Sequence, residues 1–172
     1  MKEYAIEYGK VNTPALKARL MDLSDYKKAH EKLIILCHDV FIQYRGGILL
    51  VKRLNFPAKD MWWPLGGRIK RGMEVKDSLR EKVWGEAGLK LSHLTEWGYA
   101  RTLFKTDPFG HGKGTDTLNL VYFAKGRGSL SVDNLHEKPT IITPKRYKLI
   151  RKKLHPYVKD FMDKAIPLIE DA

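Results

Sequence analysis

The sequence predicts an α/β fold, a mixed β-sheet flanked by helices, on three observations. An apolar, β-branched and aromatic run, LIILCHDVFIQY from Leu33, is followed by Arg45-Gly46-Gly47 and a returning segment ILLVKR, which is a hairpin pattern. The stretch Trp62 to Leu89, WWPLGGRIKRGMEVKDSLREKVWGEAGL, reads as a strand end, a glycine loop and one amphipathic helix. Thr143-Pro144 pairs an N-cap residue with proline at the first helical position and opens a basic C-terminal helix. Hairpins irregularly alternating with helices point to a mixed sheet.

In chain order, Thr13-Pro14 predicts a short helix over ALKARLMDL, and Ser24 can cap a second, DYKKAHEKL. After the hairpin, Asn55-Phe56-Pro57-Ala58 is a loop and Trp62-Trp63 an apolar segment. The central helix is expected to start near Met73 or Glu74 and to stop at Gly88, a residue tolerant of positive φ. LSHLTEWGYARTLFKT reads as a long strand, DPFGHGKG as a glycine-rich loop carrying His111, and Thr115 to Ala124 as the antiparallel partner strand. A polar segment with Asp133, His136 and Glu137 precedes a short strand TIIT, and the C-terminal helix is expected to kink or break at Pro156. The expected organisation is one domain over 1–172: an N-terminal helical segment 1–32, a core 33–143 and a basic C-terminal helix 144–172.

The central helix carries the informative pattern. With Val75 as zero, a step of about 100° per residue puts Lys82, Glu86, Leu79 and Val83 at roughly −20°, 20°, 40° and 80°. Two ionisable side chains therefore lie within the apolar stripe, one turn apart. Burying either without a partner costs several kcal/mol, so each requires one. The residues leave two readings open: Lys82 and Glu86 pair with each other, or Glu86 faces a cavity and binds a metal ion with Lys82 as neighbour or competitor.

Composition bounds the function. The 172 residues are 43% hydrophobic, enough for a real core, and 32 Lys and Arg against 20 Asp and Glu leave a formal charge of +12. That charge favours phosphate-bearing or other anionic partners. Cys37 is the only cysteine, which excludes an intrachain disulfide; within its apolar run it reads as a core residue. No stretch approaches the roughly 18 uninterrupted apolar residues of a membrane span, so no membrane partner is expected and a cytoplasmic location is. Lys145 to Lys159 carries seven Lys or Arg and no acid, interleaved with Tyr147, Leu149, Ile150, Leu154 and Tyr157. As a helix this segment would pack an apolar stripe and present a basic outer face, a secondary candidate for nucleic-acid contact.

Gly66-Gly67, a basic loop, and a helix ending Glu86-Ala87-Gly88-Leu89 resemble the signature of the Nudix hydrolase superfamily. Counted from Gly67, positions Gly67, Val83, Glu86, Gly88 and Leu89 match that signature, whereas Met73, Lys82 and Gly85 stand where it has glutamates. The surviving glutamate is the one the helical stripe aims inward. A Nudix-type α/β/α sandwich is what the resemblance implies for the fold. Within the superfamily the chain is most similar to the GDP-mannose mannosyl hydrolases, which also keep only the last of these glutamates.

That likeness implies a Mg²⁺-dependent hydrolase of a nucleoside diphosphate derivative, such as the nucleotide sugar GDP-mannose. It assigns Glu86 and a carbonyl at Gly66 to the metal, Arg53 and Arg68 to the diphosphate, His136 to general-base work and Asp39 to substrate contact; His111, on its glycine loop, is a further candidate for contact with the leaving group. Arginine forks suit bidentate phosphate binding, and an imidazole titrating near neutrality suits proton transfer. In the subgroup a ligand side chain precedes the late histidine; here that position is Leu135, which cannot bind a metal. The alternative is a catalytically weak or inactive module of the same fold that binds a nucleotide or nucleic acid, with the Lys82 and Glu86 pair standing where the metal would. The partners expected are a nucleoside diphosphate-type small molecule, with nucleic acid and a second copy of the chain as further possibilities.

Overall fold

A computed structural model of the chain describes residues 1–6, 8–19, 21–131 and 136–170, apart from the side chains of 136–138 and 170. Strand β1 (Ile35–Tyr44) is the centre of a seven-stranded mixed sheet. It turns at Arg45 and Gly46, both at positive φ (47° and 77°), into β2 (Gly47–Arg53), the tight turn expected for a two-residue hairpin. Beyond β2 lie β3 (Trp62–Trp63) and β7 (His136–Ile142), both antiparallel to it. On the other side β1 runs parallel to β6 (Thr115–Arg127), which pairs antiparallel with β5 (Lys90–Phe104).

One further pairing shapes the site. The first half of β1 also pairs antiparallel with β4 (Leu65–Arg68), Asp39 opposite Gly66 and His38 opposite Gly67. The second half pairs with β2, Ile42 opposite Leu49. β1 thus changes partner midway.

Alternation along β1 sorts its side chains between two layers. Val40, Ile42 and Tyr44 pack with Val75, Leu79, Val83 and Ala87 of helix α2 (Val75–Ala87) on one face. Phe41 packs on the other face with Tyr157, Val158, Phe161 and Met162 of α4 (Pro156–Ala165) and Tyr147 of α3 (Pro144–Ile150). The architecture is the expected α/β/α sandwich. Among the described residues no helix is long and apolar enough to cross a membrane.

The helices follow their sequence signals at the centre of the chain and depart from them at the edges. α2 is capped at Glu74 and stops at Gly88 with φ 65°, and Thr143 accepts a hydrogen bond from the Arg146 amide at the start of α3. The C-terminal helix is interrupted between α3 and α4, with Pro156 in the first turn of the new helix rather than kinking an old one. Near the N-terminus, Thr13-Pro14 opens only one 3₁₀ turn, Thr13–Leu16, and α1 spans Leu23–Lys32 with Asp22 at its cap instead of Ser24. Leu149, expected in the packed stripe of the C-terminal helix, is 76% exposed because the helix ends one residue later and its stripe is carried by Tyr147.

Candidate functional site

A cleft of about 350 Å³ opens beside β1 and β4, lined by residues from both strands, from α1 and α2, and from the loops after β2 and β5. Cys37 and Asp39 come from β1, Gly66, Gly67 and Arg68 from β4, Lys82 and Glu86 from α2, and Arg53 from the end of β2. The expected site residues Glu86, Arg53, Arg68, Asp39 and Gly66 therefore meet in one place.

Lys82 Nζ lies 2.6 Å from Glu86 Oε1. Both sit on the buried side of α2, as the stripe predicted, with Glu86 8% exposed at its side chain and Lys82 32%. The Lys82 stem runs across Gly67, where a β-carbon would come within 2.9 Å of Lys82 Cε, at a backbone φ of 155°. Gly66 is equally constrained: a β-carbon there would lie 2.2 Å from both Asp39 Oδ1 and the His38 carbonyl oxygen. The paired glycines let β4 and the lysine stem approach closely.

Asp39 is buried and its carboxyl is pushed up to about 6, first by desolvation. Tyr157 Oη, donating to Asp39 Oδ2 at 2.6 Å, pulls the other way, as do the Arg53 charge and the Trp63 indole, while Glu86 raises it. Arg53 donates from Nε to the Pro57 carbonyl at 2.8 Å, which ties the loop after β2 to the cleft. Its own acidity is increased by burial and opposed by Asp39 and Glu86. Arg68 is exposed and stacks its guanidinium 3.7 Å from the Tyr26 ring centroid, linking α1 to the rim.

His38, on the opposite face of β1 from Asp39, is fully buried; its Nε2 lies 2.9 Å from Ser78 Oγ on α2. Burial lowers its imidazole to about 4, with Lys82 adding to the effect. It is a buried neutral histidine beneath the site.

His111 is placed differently from the expectation. Its ring is not among the groups lining the cleft; Nε2 lies 2.8 Å from His30 Nδ1 on α1, and Phe109 packs edge-on against His30 and Tyr26. The loop is folded on Asp107, which accepts from the amides of Phe109, His111 and Gly112. This hydrogen bonding consumes the imidazole as a clasp between loop and helix. His136 lies opposite Arg53 in the β2–β7 register, which brings its backbone to the cleft's edge; its side chain, and residue 135 before it, lie outside the described residues.

Cys37, read as core, is half-buried and lines the cleft, with its thiol pushed up to about 12 by burial and by Asp39. Sequence reasoning also missed Tyr157. Its position in a basic helix gave no signal that it reaches a strand 118 residues away. Trp63, stacked on Tyr157 at 5.2 Å between centroids, forms the cleft wall.

The described residues do not suit a magnesium ion. Among them no three His, Cys, Asp or Glu side chains gather, and Glu86 Oε1 is held by the Lys82 ammonium at 2.6 Å. Mg²⁺ demands near-octahedral oxygen coordination, which an adjacent cation opposes.

Of the solved structures with this architecture, a MutT Nudix hydrolase from Burkholderia pseudomallei superposes with a TM-score of 0.56 at 20% identity, over 66% of this chain and 86% of its own. The chain has the Nudix fold. A bifunctional NMN adenylyltransferase/ADP ribose pyrophosphatase from Francisella tularensis, complexed with AMP and a manganese ion, superposes with a TM-score of 0.57 at 18% identity, over 87% of this chain and 45% of its own. In sequence, the low-salt glycan biosynthesis protein Agl8 of Haloferax volcanii is 25% identical over 129 residues, covering 73% of this chain and 78% of its own. No family model matches the chain.

Proposed function

We propose that this protein hydrolyses a nucleoside diphosphate derivative, with a nucleotide sugar such as GDP-mannose as the finer form of the substrate. The observation that carries the reading is the meeting of Arg53, Arg68 and Lys82 with the buried carboxylates Asp39 and Glu86 in one cleft on a Nudix fold. The cations suit a diphosphate, whose charge must be neutralised before a phosphorus or anomeric carbon accepts a nucleophile. Asp39, titrating near 6, is ionised at neutral pH and remains basic enough to take a proton from water. His136 is the second candidate for that proton, on its register opposite Arg53. The likeness to Agl8 and to the mannosyl hydrolases supports a sugar-linked diphosphate.

The test is a panel of nucleotide sugars and other nucleoside diphosphate derivatives, assayed with Mg²⁺ and with a chelator, for the wild type, Asp39→Asn and Glu86→Gln. Turnover of at least one compound, reduced about a hundredfold or more in Asp39→Asn, is expected for loss of a general base. No turnover of any compound, together with nucleotide binding, removes the hydrolase.

That second outcome is the reading favoured by the Lys82 to Glu86 contact of 2.6 Å: a Nudix-fold module that binds a nucleotide without cleaving it. Nucleic-acid binding has weaker support. Lys145, Arg146, Lys152 and Lys153 are exposed along the α3 side, but Arg151 is engaged bidentately with Asp163.

A further inference from the structure

The disagreement between this cleft and a magnesium site has a positive counterpart in Lys82. Its stem is pinned over the Gly67 backbone, and Glu86 fixes one side of the ammonium at 2.6 Å. At 32% side-chain exposure, Lys82 still presents surface to the cleft that it shares with Arg53 and Arg68. An ammonium has three donors in tetrahedral array. With one given to Glu86, the remaining two can reach phosphoryl oxygens.

We propose that Lys82 is a built-in cation that takes the place of a divalent ion, so that the cleft binds a diphosphate group directly and without metal. In this arrangement Glu86 positions the lysine and is not a metal ligand. The single charge of Lys82 is supplemented by the two arginines, which supply fixed, planar pairs of donors. A divalent ion approaching Glu86 would meet the ammonium at about 3–4 Å, where like charges repel by several kcal/mol at a protein-surface dielectric. The inference rests on the reading of a diphosphate as the ligand, but it concerns binding and does not require turnover.

The test is calorimetric titration of the full chain with inorganic pyrophosphate, in chelator and in Mg²⁺, for the wild type, Lys82→Arg, Lys82→Met and Lys82→Glu, each checked for a cooperative thermal transition. Wild type is expected to bind equally well in both buffers, and Lys82→Arg to stay within about threefold of it, since a charge-assisted donor is retained. Lys82→Met is expected to lose about tenfold or more in both buffers, the scale of one such hydrogen bond. Lys82→Glu is expected to bind pyrophosphate only with divalent ion and to give a Mn²⁺ binding signal by electron paramagnetic resonance that wild type lacks. Wild-type binding that requires Mg²⁺, absence of binding in both buffers, or unchanged affinity in folded Lys82→Met overturns the proposal. Metal-free pyrophosphate binding alongside no turnover of any nucleoside diphosphate derivative supports it and removes only the hydrolase.

Discussion

Tyr157 donates its phenolic hydrogen bond to Asp39 Oδ2 at 2.6 Å, tying helix α4 to the central strand across 118 residues of sequence. This bond is one of the influences that hold the Asp39 carboxyl down against burial. Tyr157→Phe therefore raises the Asp39 pKa above its present value of about 6 and moves the acidic limb of any Asp39-dependent activity to higher pH. Leaving a buried carboxylate short of a donor also costs about 1–3 kcal/mol. Carboxyl titration by NMR and urea unfolding check the two effects; an unmoved titration would separate Tyr157 from the site.

His38 and Asp39 are adjacent yet respond to pH in opposite senses. Asp39 has its folded pKa raised to about 6 from 3.8, so its stabilising contribution is complete below pH 3.8 and is lost as pH rises through 6. His38 has its folded pKa lowered to about 4 from 6.5, so its contribution is present above 6.5 and lost as pH falls through 4. Each is on the order of 3 kcal/mol at about 1.4 kcal/mol per pH unit, and they oppose each other over the same range. Wild-type stability is expected to be nearly flat there. Asp39→Asn should expose a rise in stability with pH and His38→Gln a fall, read from denaturant midpoints across that range.

Gly66→Ala should be among the most damaging single-methyl additions in the chain. Its β-carbon would sit 2.2 Å from a carbonyl oxygen of the paired strand, where flexible side-chain relief is not available. A loss of about 2 kcal/mol or more is expected on the overpacking scale, together with a displaced Asp39. Gly85→Ala, whose β-carbon meets nothing within 4 Å, is the control and should be neutral or stabilising. Equal melting temperatures for the two variants would contradict the close strand pairing.

Cys37 should be a poor nucleophile despite lining the cleft. With its thiol pushed up to about 12, almost none is thiolate at pH 8, and alkylation of the native protein should be slower than that of the denatured chain by about a hundredfold or more. Rapid labelling of the folded protein would show that the neighbouring cations, and not Asp39 and burial, dominate there.

The readable parts of this fold were those set by local chemistry. The Arg45-Gly46 turn, the Gly88 stop and the Thr143 cap each depend on a few neighbouring residues, and each appears where the sequence placed it. The Glu86 and Lys82 face of α2 was legible because helical periodicity alone fixes it. Tyr157, His30 and the β1 to β4 pairing were not legible. They depend on which elements meet, and neither composition nor spacing encodes contacts between elements so separated along the chain. The His111 contact is hidden for a related reason: a histidine on a glycine loop signals reach, but its partner His30 is 81 residues away.

The change of partner along β1, from β4 to β2, leaves the loops after β2 and β5 outside the ladder that holds Asp39 and Gly66. Those loops form the cleft's rim while the strands and α2 form its floor. Insertions or exchanges at the rim would therefore reshape the cleft's mouth while leaving its charged floor of Asp39, Lys82 and Glu86 in place.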